Sequence, residues 1–120
     1  MSSDHQNVLK DRTKQFALRV IRFVRSLPRD KVMDEMGRQL LRAACSTAAN
    51  YRAACRAKSR ADFVAKMGIV EEESDEALFW MELFVEAELV RKTLLVALMA
   101  EADTITALTV ASIRTAKARR

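Results

Sequence analysis

The sequence predicts an all-α protein, an antiparallel up-and-down four-helix bundle, and three observations lead there. First, 120 residues contain only two glycines and one proline, too little turn chemistry to connect many strands. Second, half of the residues are hydrophobic, and the good helix formers Ala, Leu, Glu, Arg and Lys dominate the chain. Third, four long stretches repeat apolar residues at helical spacing, with short polar links between them. The length suits one domain, residues 1–120, with a single core.

Residues 1–6 are polar and expected to be flexible. Helix one is expected over about 8–26, with Leu9, Phe16, Val20, Phe23, Val24 and Leu27 on one side. Leu18 falls among the cations of the opposite side and Ile21 borders them, either as the edge of a wide buried face or as a second, weaker apolar strip for another chain. Pro28 disfavours the α conformation at Leu27 and so ends this helix. Asp30 or Asp34 is placed to cap helix two, expected over about 31–57. Its apolar line runs through Met36, Leu40, Ala43, Thr47, Asn50, Tyr51 and Ala54. An amide on that line must be hydrogen-bonded, so Asn50 is read as a structural polar residue bonded to a neighbouring helix.

Ser59-Arg60-Ala61-Asp62 has the Ser-x-x-acid form of a capping box. Helix three should therefore begin at about 60 and run to about 87, antiparallel to helix two across a short link. Phe63, Met67, Val70, Ala77, Leu78, Met81, Phe84 and Val85 give it a broad apolar face. Gly68 costs about 1 kcal/mol relative to alanine in a helix, and close backbone contact is the expected reason for it. A break at Leu89–Lys92, marked by no proline or glycine, separates helix four at about 93–117. Leu94, Leu98, Ala102, Ile105, Leu108 and Ser112 should face inward there. Arg114, Lys117, Arg119 and Arg120 complement the negative end of that helix.

The net charge of +5 conceals an asymmetry. Residues 1–60 hold 14 Lys/Arg against 5 Asp/Glu, and residues 61–120 hold 7 against 11. A basic half invites a nucleic-acid reading; mutual neutralisation of the two halves on packing is the alternative. Cys45 and Cys55 lie about 15 Å apart along one helix, too far for a disulfide between them. They read as small core thiols in a reducing compartment. With no apolar leader in MSSDHQNVLKDRTK and no uninterrupted segment of transmembrane length, a cytoplasmic protein without a membrane role is expected.

Catalysis has no constellation to rest on, and no catalytic, cofactor-binding or metal-ligating residue is assigned. The single histidine, His5, lies in the polar N-terminal segment. The two glycines stand alone, so no phosphate-cradling loop exists, and the Glu-x-x-His pairs of a di-metal bundle are absent. What remains is charge. Arg38, Arg42, Arg52 and Arg56 fall within about 80° of one another on helix two, and Glu71, Asp75, Glu82 and Glu86 form a stripe of matching length on helix three. An antiparallel hairpin centred near Lys58 and Ser59 brings Arg52 level with Glu71 and Arg38 level with Glu82. These eight residues are candidates for salt bridges within a chain or across a subunit interface. On helix one, Arg12, Lys14, Arg19, Arg22 and Arg25 have only Asp11 as a close acidic neighbour on their face. They are the candidate contacts to RNA or DNA phosphates, sequence-independent because no aromatic is interleaved for base stacking.

With these residues laid out, the chain resembles the four helix bundle protein family, encoded in intervening sequences of bacterial 23S rRNA genes and also labelled ribosomal proteins. The resemblance runs from about Leu9 to Lys117 and rests on QLLRAACSTAANYRAACRAKSRADF (Gln39–Phe63), KMGIVEEESDEALFWMELFVEAELV (Lys66–Val90) and ASIRTAKARR near the end. Ala48-Ala49-Asn50 fits the family's small residue before an alanine-asparagine pair. A glutamate common soon after that asparagine is replaced here by Ala53, so its polar contact is lost. The resemblance implies an up-and-down bundle assembled as a ring-like homopentamer. A distant similarity to the accessory variability protein of diversity-generating retroelements implies a basic pentamer that meets a reverse transcriptase and nucleic acid. Two readings stay open: a non-enzymatic homo-oligomer binding RNA or DNA through basic helix faces, and a structural or protein-interaction scaffold with no nucleic-acid role.

Overall fold

The computed structural model describes residues 3–119, and the side chains from Asp4 onward. Four helices follow one another: α1 Ser3–Arg25, α2 Lys31–Ala54, α3 Arg60–Glu86 and α4 Lys92–Ala118. They form a four-helix bundle 50 Å long and 20 Å across. Consecutive helices pack closely, α2 with α3 most extensively, whereas α1 meets α4 only sparsely.

The local signals act at the expected joints. Leu27-Pro28 stops α1, where the Ser26 amide donates to the Phe23 carbonyl at 3.0 Å. Asp30 caps α2 by accepting from the Met33 amide at 3.0 Å. Ser59 caps α3 by accepting from the Asp62 amide at 3.0 Å, and Asp62 accepts in return from the Lys58 amide at 3.3 Å. The Lys66 ammonium, one turn on, holds both Asp62 carboxylate oxygens at 2.6 Å. The hydrogen bonds and the cation together hold the Asp62 carboxyl below the usual carboxylate range.

Three ends differ from expectation. Helix α1 begins at Ser3 rather than near Val8, so residues 3–6 belong to its first turns; residues 1–2 lie outside the described residues. Helix α2 stops at Ala54, three residues early, because Arg56 and Ala57 donate to carbonyls only three residues back and tighten the chain into a turn. The α3–α4 break, unmarked by glycine, is a Schellman motif. Leu89 donates to the Phe84 carbonyl and Glu88 to the Val85 carbonyl, both at 3.0 Å. Glu88 itself takes φ 59°, the left-handed region that favours glycine.

The core has two parts. The larger gathers Phe16, Val20 and Phe23 of α1, Leu40, Ala43 and Ala44 of α2, Met81 and Phe84 of α3, and Leu95 and Ile105 of α4. Phe23 meets Phe84 edge to face with centroids 5.4 Å apart. The smaller lies toward the far end and holds Leu9, Tyr51, Ala54, Met67 and Val70. Thr13, Thr47, Ser74, Thr109 and Ser112 are buried hydroxyls. Each donates to a carbonyl three or four residues back on its own helix, and Ser74 also meets Thr106 across α3 and α4 at 2.7 Å. The Tyr51 hydroxyl is enclosed without a hydrogen bond; burial, and then the adjacent Cys55 thiol, raise its pKa.

Several inward assignments are corrected. On α4 the inward residue of the first turn is Leu95, and Leu94 is 58% exposed. Cys45 is exposed rather than a core thiol, and Cys55 is half-buried. The Asn50 amide donates to the carbonyl and hydroxyl of Ser46, both at 2.9 Å, one turn back on its own helix instead of on a neighbour. Among the described residues one helix, α4, is long and apolar enough to cross a membrane by length and composition, although no such segment was expected. Its apolar run is continuous enough because only Glu101 and Asp103 interrupt it between Lys92 and Arg114.

Close contact is found at Gly37, not at Gly68. A methyl group on Gly37 would lie 3.3 Å from Val24 and 3.4 Å from Leu27, whereas at Gly68 it would meet nothing within 4 Å. Gly68→Ala should therefore raise the unfolding free energy by about 1 kcal/mol in urea titration, the intrinsic helix difference. Gly37→Ala should forfeit that gain, because Val24 and Leu27 must first move. Glu88→Gly should also stabilise, by about 1 kcal/mol, as it removes the left-handed penalty of a residue bearing a Cβ. An unchanged or lower urea midpoint for Glu88→Gly would contradict that account.

Candidate functional site

The surface divides by charge, and the helices decide which side chains meet. Arg38, Arg42 and Arg52 on α2 and Arg56 in the turn after it are all exposed, and so are Cys45 and Ala49. Arg42 reaches α3, where its guanidinium bonds Glu73 at 2.8 Å and also Glu76. Glu76 accepts a second bond, from the Trp80 indole at 3.1 Å. Its carboxyl is held below the ordinary range first by that indole N–H and then by Arg42. Arg38 turns back to Glu35 on its own helix, and Gln39 donates to the same carboxylate at 3.1 Å. Among the described residues Arg52 and Arg56 make no ion pair.

The expected pairs of Arg52 with Glu71 and Arg38 with Glu82 do not form, and the reason is rotational. Arg42 does meet α3 near the anticipated level, but Glu73 and Glu76 lie about 150° around the helix from Glu71, Asp75 and Glu82. The first two flank α2; the other three are on the flank toward α4, where Ser74 meets Thr106. Glu71 and Glu82 are half-buried there, and Asp75 and Glu86 are exposed. None of the four joins an ion pair among the described residues.

Helix α1 loses one candidate cation and keeps the others. Arg12 forks onto Glu101 of α4, Nε at 2.7 Å and Nη2 at 2.9 Å. That hydrogen-bonded pair raises the Arg12 pKa and bridges the sparsest helix contact in the bundle. Arg12 is therefore committed within the chain. Lys14, Arg22 and Arg25 are exposed and Arg19 half-buried, and none of them makes an ion pair among the described residues. Glu73, Glu76 and Glu101 were not singled out from the sequence. Glu101 had a visible signal, a carboxylate set inside the apolar run of α4; the α2-facing pair needed the rotational phase of α3.

Exposed apolar residues occur on every helix, Val8 on α1 and Val32 on α2 among them. Ile69 and Phe79 on α3 and Leu94 and Val96 on α4 are all exposed, and Ala97, Ala100, Ala107 and Ala111 add a run of exposed small residues along α4. No group of three or more His, Cys, Asp or Glu is arranged to hold a metal ion among the described residues.

The family model described as 23S rRNA-intervening sequence protein matches residues 5–111. The chain belongs to that family. A solved relative of the intervening-sequence proteins, a protein of unknown function from the S23 ribosomal protein family of Bacteroides thetaiotaomicron, superposes with a TM-score of 0.81 at 31% identity. The match covers 91% of this chain and 97% of that one. No curated protein matches the sequence. The resemblance first carried by the Gln39–Phe63 and Lys66–Val90 stretches thus extends over the helices of this intervening-sequence protein.

The pairs predict a pH response. In Glu76, Glu35 and Asp62 the folded pKa lies below the ordinary 4.5, 4.5 and 3.8. The unfolded chain therefore binds more protons across that interval, and stability falls as pH drops through the folded values. Urea midpoints should hold steady above about pH 5 and decline below about pH 4. Glu76→Gln should make that decline shallower; an equally steep decline would remove Glu76 from the account.

Proposed function

We propose that this intervening-sequence protein is a non-enzymatic, self-associating cytoplasmic bundle that holds RNA or DNA through the outward cations of α1 and α2. The observation that carries this reading is the set of exposed cations left without a carboxylate partner among the described residues: Lys14, Arg22 and Arg25 on α1, Arg52 on α2 and Arg56 in the turn that follows it. Phosphate oxygens satisfy such groups without any reading of bases. No exposed aromatic stands among them, since Phe79 is on α3, so recognition is electrostatic and indifferent to sequence. The exposed apolar residues of α3 and α4 supply the surface for self-association, and a pentamer, the assembly the family resemblance implies, would repeat the cationic face around the ring. The same apolar surface equally suits a scaffold that binds only protein, and the test separates the two.

The full chain should shift unrelated RNA sequences alike in a gel, with log affinity falling steeply and linearly against log salt. Arg22→Glu with Arg25→Glu should abolish the shift while leaving the light-scattering mass unchanged. Absence of any shift at low salt overturns the nucleic-acid reading in favour of the scaffold. A solution mass of 13.6 kDa, that of the single chain, overturns self-association.

A further inference from the structure

We propose that a cleft at the end of the bundle where α1 and α3 begin and α4 finishes binds a single-chain amphiphilic carboxylate of the medium-chain fatty-acid class. The cleft has a volume of about 510 Å³, within the range of small-molecule sites. The stripe of α4 that lines it carries Leu108 and then only small side chains, Ala111, Ser112, Thr115 and Ala116, before Arg119. Above this stripe the Arg12–Glu101 pair draws α1 against α4. Below that pair the cleft opens between α1, α3 and α4.

The lining has two chemistries in one line. Phe63 and Leu108, which pack on the smaller core cluster, form an apolar floor with Ala111 and Ala116. Arg60 and Arg119 stand at the rim, both exposed and neither in an ion pair among the described residues. The stripe from Leu108 to Arg119 spans about 16 Å of helix, enough for an extended acyl tail beneath a headgroup at the rim. Charge at this end favours an anion. Lys58, Arg114 and Lys117 are exposed nearby, and the acids at this end are Asp4 and Asp62, the latter already held by Lys66 at 2.6 Å. A guanidinium pair above an apolar trough selects a carboxylate over a neutral alcohol and a long tail over a short one. This face is distinct from the α1–α2 cations assigned to phosphate, so either reading can fail without the other.

The test is calorimetric titration of the full chain with octanoate, decanoate, decanol and acetate, each below its micellar concentration. Decanoate should bind saturably, one per chain, and more tightly than octanoate, by up to about fourfold for each added methylene. Decanol and acetate should each bind at least tenfold more weakly. Ala111→Leu with Ala116→Leu, which fills the trough, should abolish decanoate binding while the helical circular-dichroism spectrum and the RNA shift are retained. Should that variant fail to fold, Arg60→Glu with Arg119→Glu, at exposed positions, should weaken decanoate at least tenfold and leave the decanol signal unchanged. No saturable decanoate binding, equal binding of decanol, or undiminished binding in the folded variants overturns the proposal.

Discussion

The bundle depends on the narrowness of the face that α2 buries. Gly37, Ala43, Ala44, Thr47 and Ala54 are small and buried, on a line that Met33, Leu40 and Tyr51 complete at three- and four-residue spacing, so α2 can sit between α1 and α3 while its neighbours supply the volume. Phe16 and Phe23 come from α1, Met67, Met81 and Phe84 from α3. Large against small is how facing helices fill space without strain. Only Met33, Leu40 and Tyr51 are large residues buried from α2 itself, and Gly37 marks where the fit is tightest, against Val24 and Leu27. The arginines follow from the same constraint. A helix that buries its small residues toward both neighbours must carry its long cationic side chains outward, and that is where Arg38, Arg42, Arg52 and Arg56 are found.

What could be read from the sequence was whatever is encoded within a turn or two of chain. Pro28, the Ser59–Asp62 box and the Asp30 cap each act through neighbours only a few residues away, and each joint lies where those residues put it. What could not be read was rotation. A helix wheel drifts by tens of degrees over a helix of this length when its turns depart slightly from 3.6 residues, enough to exchange Leu94 for Leu95 at the core. The acid stripe failed for a related reason. Matching lengths on α2 and α3 fix the level at which Arg42 meets carboxylates, but not the flank of α3 that lies beside it. Glycines mislead in the same way, because open space around Gly68 and contact at Gly37 are properties of the neighbours and not of the residue.

The charge imbalance between the halves resolves into two kinds of cation. Some are spent inside the chain: Arg12 on Glu101, Arg42 on Glu73 and Glu76, Lys66 on Asp62. The others remain outward, and they are concentrated in α1 and α2. Neutralisation between the halves is therefore real but partial. The exposed pairs contribute little to stability, about 0–1 kcal/mol each, so their stronger effect is to orient one helix against the next. That leaves the outward arginines and lysines with no structural work to do, which is why they, and not the paired ones, carry the functional reading.

Helix α4 shows how a single polar pair can govern an apolar element. By composition it is the chain's most apolar helix, yet its large buried residues, Leu95, Leu98 and Ile105, occupy only one side. Glu101 would be costly on such a helix without a partner, and Arg12 supplies two donors to it across the least extensive contact in the bundle. Ser74 and Thr106 add a hydroxyl contact on the opposite flank. These polar links fix the rotation of α4, so the face it turns outward is determined rather than incidental. That face carries Val96, Ala97, Ala100 and Ala107, small enough for another helix to approach closely. The pair that joins α1 to α4 thereby also sets which surface of α4 faces outward.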